Sequence, residues 1–196
     1  MAEILELKWG YGDMGEMFFP LDGGKVAWDT SVKQSWNIAE YISASGERKA
    51  LVQQELPQWT MTLRFPVLTQ SELDLLIGFY ARCRGSWHPF YYKDFERFEV
   101  IGKALNRNID GSYQAVIPIG GYEEPAEKID NVVVFIDGKR TKDFIVRGGK
   151  ITVNAVGTVI KFDYEYYHKV VFEKEITVKQ LLANAYTVEL KLEVVR

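Results

Sequence analysis

The chain has one cysteine, two histidines and no surplus of basic charge. Each shortage excludes something. A lone cysteine, Cys83, leaves no intrachain disulfide and no zinc cage built on several thiolates. His88 and His168 stand far apart, and neither lies in a spacing such as H-E-x-x-H that sets two imidazoles on one helix face. The 24 Lys and Arg against 27 Asp and Glu leave a formal net charge of −3. A chain without cationic excess has little to displace counterions from phosphates, so nucleic-acid binding is not the expected task. No apolar run reaches the roughly 18 residues that suggest a membrane helix. The opening "MAEILELKWGYG" interleaves acids with apolar residues and has no basic leader, so no secretory signal is expected and a cytoplasmic origin is. G-x-S-x-G, the P-loop and G-x-G-x-x-G are also absent. No enzyme activity, cofactor or metal is therefore expected. Asp13, Glu16 and Asp22 miss the alternate spacing of a calcium loop. Glu123, Glu124 and Glu127 read as a solvated acidic loop.

What is abundant is aromatic side chain: eleven Tyr, eleven Phe and five Trp. Much of it falls in segments of period two, the mark of half-buried strands. In "QWTMTLRF", Trp59, Met61, Leu63 and Phe65 share one face. In "TVELKLEVV", Val188, Leu190, Leu192 and Val194 do the same. "ERKALVQQEL", just before Pro57, is the expected partner of the first of these. Phe162, Tyr164 and Tyr166 share a face of a further strand, which suits a core or interface better than a wet platform.

One helix is clear, over 70–84. Thr69 and Glu72 make a T-x-x-E capping box. Leu73, Leu76, Ile77 and Tyr80 form an apolar stripe, widened by Leu75 and Phe79. Arg82 and Arg84 suit its C-terminal end, and Gly85 supplies the left-handed residue that ends it. A second, shorter helix is expected from Thr177, with Gln180 closing another capping box. From about Ala104 to Tyr166 the strands shorten and Gly-containing turns multiply; Asp137-Gly138 is a tight hairpin signal. The expectation is a mainly β fold with one or two helices: a β-barrel-like outer domain from 1–103 plus 167–196, with a small β-sandwich, 104–166, inserted into it.

The densest stretch is "ARCRGSWHPFYYKD", Ala81 to Asp94. Cys83 sits at the C-terminal end of a helix, where nothing lowers a thiol pKa, so it reads as a small core hydrophobe. His88 before Pro89 reads as a turn. Phe90 and Tyr92 then point to one side of a strand, Tyr91 and Lys93 to the other. The stretch is a helix-to-strand joint.

"ARCRGSWHPFYYKDF" also resembles a signature of the distal tail proteins of phages, prophages and gene transfer agents: a helix ending Arg-Gly, four variable residues, Phe, two residues, then Lys-Asp and an aromatic. Here these are Arg84, Gly85, Phe90, Lys93, Asp94 and Phe95. "SASGERKALVQQELPQWTMTLRFPVLTQSELDLLIGFY" is similar to the family's strand pair and helix, and "NVVVFIDGKRTKDFIVRGGKITV" to its later hairpins. "LKLEVVR" resembles its basic-ended last strand. The resemblance covers Ser43 to Arg196. It implies a structural virion protein of the tail tip, assembled in a bacterial cytoplasm. Its subunits would form a hexameric ring that joins the tail tube protein to hub and baseplate proteins, with DNA present only in transit and no membrane partner. Trp87, Tyr91 and Tyr92 are candidate interface residues; no catalytic, cofactor or metal residue is implied. The alternative is a carbohydrate- or receptor-binding module, with the 104–166 sandwich as the sugar site and Tyr113 or Tyr122 as its platform.

Overall fold

The computed structural model describes residues 15–21, 26, 30–154 and 159–196. Within them the chain is mainly β with one helix. The elements in chain order are β1 (Ser31–Ser35), β2 (Ile38–Ile42), β3 (Arg48–Val52), β4 (Gln58–Leu68), α1 (Gln70–Cys83), β5 (Phe90–Tyr92), β6 (Glu99–Lys103), β7 (Ser112–Gln114) and β8 (Val116–Ile119). They continue with β9 (Tyr122–Pro125), β10 (Lys128–Ile136), β11 (Lys139–Thr141), β12 (Phe144–Arg147), β13 (Lys150–Val153), β14 (Ile160–Phe172), β15 (Thr177–Leu182) and β16 (Ala185–Val194). Residues 1–14, with Asp13, and residues 22–25, with Asp22, lie outside the described residues.

The largest sheet runs β1-β4-β16-β14-β10-β11, with β15 added on β16 and β5 and β6 on β14. This path is open, so the outer part is not a closed barrel. The alternation in β4 and β16 fixes their register. Leu63 lies opposite Leu190 and Met61 opposite Leu192, so both apolar rows fall on one face.

Two sequence expectations are overturned here. Residues 48–52 do not pair with β4. They fold back on β2 in a separate two-stranded hairpin, and β4 takes β1 and β16 as neighbours instead. Residues 177–182 are strand rather than helix, paired along β16 through a turn in which Asn184 has φ 57°. The Thr177/Gln180 spacing mimics a capping box, but Leu181 and Leu182 are exposed, and the β16 edge offers the backbone a ready set of partners.

The capping box of α1 does form: Thr69 N donates to Glu72 Oε2 at 2.9 Å, and Glu72 N donates to Thr69 Oγ1 at 3.4 Å. Leu73, Leu76, Phe79 and Cys83 are the buried row, while Leu75 and Ile77 face outward. The helix therefore meets the sheet with a narrower stripe than its sequence offers.

Buried side chains form two clusters. One gathers β4, α1, β5, β16 and the C-terminal half of β14, around Phe65, Leu76, Phe90 and Phe172. The other gathers β6, β7, β8, β10, β13 and the N-terminal half of β14, around Val134, Ile151, Phe162 and Tyr164. In the second cluster the three-stranded sheet β12-β13-β7 covers β14 in a sandwich-like arrangement, with the Tyr113 ring 5.0 Å from that of Phe162. Tyr113 is thus a core residue and not part of a wet platform. The 13-residue strand β14 serves both clusters, with Phe162, Tyr164 and Tyr166 in one and Val170 and Phe172 in the other.

Backbones approach closely where β7, β9 and β13 meet. Ala115 N donates to Gly149 O at 2.9 Å, and the Gln114 amide nitrogen reaches Ala115 O, Ala126 O and Gly149 O. A Cβ on Gly149 would stand 1.6 Å from Ala126 O, so only glycine fits.

Candidate functional site

The joint from α1 to β5 is built by two successive left-handed residues. Arg84 has φ 53° and Gly85 φ 63°, so the left-handed turn begins one residue before the glycine. His88 N then bonds back to Cys83 O at 2.9 Å, and Pro89 leads into β5. Cys83 is fully buried, and burial pushes its thiol up to about 11.

β5 pairs with the middle of β14, placing Tyr92 opposite His168 and Phe90 opposite Val170. Phe90 packs 4.6 Å from Phe172 and 5.1 Å from Phe79, centroid to centroid. Of the three candidate interface residues, Trp87 is largely exposed, at 73%. Tyr92 is buried in the chain's own core. The Tyr91 ring lies against Phe18 and Lys128, and its backbone bonds to Met17 and Phe19. The charged members of the signature do not pair with one another. Lys93 Nζ donates to Glu165 Oε2 at 2.6 Å and lies over the Phe98 ring. Asp94 Oδ1 accepts from Glu96 N at 3.1 Å. Phe95 meets Tyr92 edge-on at 5.7 Å.

Behind this joint lies a partly enclosed cavity of about 570 Å³, at the seam of the two clusters. The even residues of β14 share one face; the clusters take its two ends and His168 falls between them. β4 supplies Trp59, Met61 and Leu63, β8 supplies Ile117 and Ile119, and the segment after β5 supplies Asp94 and Phe95. Burial lowers the His168 pKa, with Asp94 and Glu124 acting in the opposite direction, so the imidazole is neutral at pH 7. Burial pushes Tyr166 up to about 12 and raises Tyr92 as well; the Asp94 carboxylate adds to both. Asp94 and His168 share the cavity without a hydrogen bond between them, so they do not form the relay in which a carboxylate orients a catalytic imidazole.

Next to the cavity, Glu124 is buried. It accepts from Trp59 Nε1 at 2.8 Å and from Arg196 Nη2, while Arg196 Nη1 donates to Pro57 O. The acidic run is therefore not a solvated loop: Glu123 pairs with Lys103, and Glu127 with Lys169 at 3.1 Å. Glu16 pairs with Lys128. Among the described residues no three His, Cys, Asp or Glu side chains gather as a metal centre requires, and no helix is long and apolar enough to cross a membrane.

Sequence reasoning reached Asp94 and Phe95 but not their setting. Trp59, Asp94 and His168 come from distant segments, and only the pairing of β5 with β14 and of β4 with β16 brings them together. No family model and no curated protein matches the chain.

Proposed function

We propose that this chain is a structural subunit of a phage-type tail tip: a protein that closes into a hexameric ring and joins a tail tube to its hub and baseplate. The resemblance of the Arg84–Phe95 joint to the distal tail family supplies the reading. The observation that supports it best is the β2–β3 hairpin. Every residue of both strands is exposed, among them Ile38, Tyr41, Ile42, Leu51 and Val52. Ile38, Ile42 and Val52 fall on one face of the hairpin and Tyr41 and Leu51 on the other. An isolated hairpin is marginal in water, and apolar residues exposed on both of its faces mark a surface for another chain. Two further exposed strands have a free side: β1, at one end of the large sheet, and β15, which pairs only with β16. Open edges are templates for pairing between chains, and a ring repeats one heterologous contact around an axis. In this reading 104–166 projects from the ring, and the chain stays in the virion with DNA only passing through.

The test is assembly. Light scattering over a range of concentrations, with and without the tail tube protein, is expected to show a species of six protomer masses. A monomer under every such condition would remove the proposal.

A further inference from the structure

We propose that the cavity at the seam of the two clusters is a binding site for an organic cation, an ammonium or guanidinium group on an apolar stem, with the Asp94 carboxylate as its counter-charge. This goes beyond the ring reading and does not depend on it. The volume, about 570 Å³, suits a small ligand or one long side chain. Its lining includes the aromatic residues Trp59, Tyr92, Phe95 and Tyr166. Aromatic faces attract cations, more strongly when water is excluded.

The charges in the cavity decide the sign of the ligand. Asp94, Glu96 and Arg97 are its charged lining residues among those described. Asp94 has no lysine or arginine within ion-pair distance among the described residues; its bond is to the Glu96 amide. Arg97 is exposed at the rim. His168 is neutral and the phenols of Tyr92 and Tyr166 stay protonated, so none of them balances the carboxylate. Glu96 is exposed like Arg97, so these two opposite charges offset each other and an anion would meet the Asp94 carboxylate. A hydrocarbon would desolvate Asp94 with nothing in return. An amine with an apolar body satisfies both the charge and the walls, and the His168 imidazole, which makes no hydrogen bond to a described side chain, offers a further polar contact.

Among the described residues the same combination occurs twice within the chain. Lys93 lies between the Glu165 carboxylate and the Phe98 ring. Lys128 meets the Glu16 carboxylate beside the rings of Phe18 and Tyr91. Around Asp94 the carboxylate and the rings converge again, in a cavity rather than around a side chain of the same chain.

The full chain would be titrated with benzylamine and butylguanidinium, and with the neutral benzyl alcohol, following Trp fluorescence and the His168 imidazole resonance. The cations are expected to bind with dissociation constants at or below about 1 mM, and the alcohol at least tenfold more weakly. Asp94→Asn keeps an oxygen for the Glu96 amide and should lose the cation preference while holding its melting temperature. Phe95→Leu, which trims one wall, should weaken cation binding with Asp94 intact. Self-association of Asp94→Asn separates the two sources of such a group. Cation binding lost with assembly unchanged supports a free small molecule. Assembly weakened together with binding supports a lysine or arginine side chain of a second copy. Equal binding of alcohol and amine, unchanged cation binding in Asp94→Asn, or no binding at about 10 mM with unchanged assembly would overturn the proposal.

Discussion

Gly149 is held by space, not by an unusual backbone angle. Its Cβ position is occupied by the carbonyl oxygen of Ala126, at 1.6 Å, and Gln114 bonds to both carbonyls at once. Gly149→Ala must move backbone against backbone, so it should cost about 3 kcal/mol, the upper end for overpacking. Urea unfolding measures this; an unchanged midpoint would mean that β13 and the Ala126 segment are not locked together. Little at this scale was legible in the sequence. A Gly-Gly pair announces a turn, and Gly148, at φ 58°, does make one; the contact that forbids a side chain on Gly149 comes from a carbonyl more than twenty residues earlier. Glu124 is the opposite case. Acids crowd its neighbourhood in sequence, and nothing local says that Trp59 and the last residue, Arg196, converge on it to make burial tolerable. Cys83, by contrast, was readable as a core residue, because both its neighbours on the helix face and its place at the C-terminal end are local facts.

Elements were legible where one pattern served one purpose. β4, β16 and α1 follow their period because each buries a single face, and the Thr69 cap marks the start of α1 by local chemistry alone. β15 and the β2–β3 hairpin were harder, because exposed strands carry no burial alternation to read. That exposure has a measurable consequence. None of the hairpin's residues enters either cluster. Replacing 36–54 with a short glycine-rich turn should therefore move the melting temperature by less than about 4 °C, the equivalent of about 1 kcal/mol for a chain of this size. In the ring account the same replacement should reduce the assembled species to protomers in light scattering. A large loss of stability would instead make the hairpin part of the fold rather than a contact for a neighbour.

At the scale of the whole molecule, two cores share one strand. β14 belongs to both clusters, and a boundary placed at residue 166 falls within it. The cavity with Asp94 and His168 exists because the two cores meet along that strand without filling the space between them. Such a seam is a property of packing, and sequence periodicity describes each face but not the gap left between two of them. The central claim, that this chain is a ring subunit, concerns a still larger scale, where exposed edges and a projecting hairpin find partners. Negative-stain imaging of the full chain at high concentration, with tail tube protein present, tests it most directly. The account predicts class averages of closed rings with sixfold symmetry and an open centre. Isolated single protomers, or open filaments without closure, would contradict it.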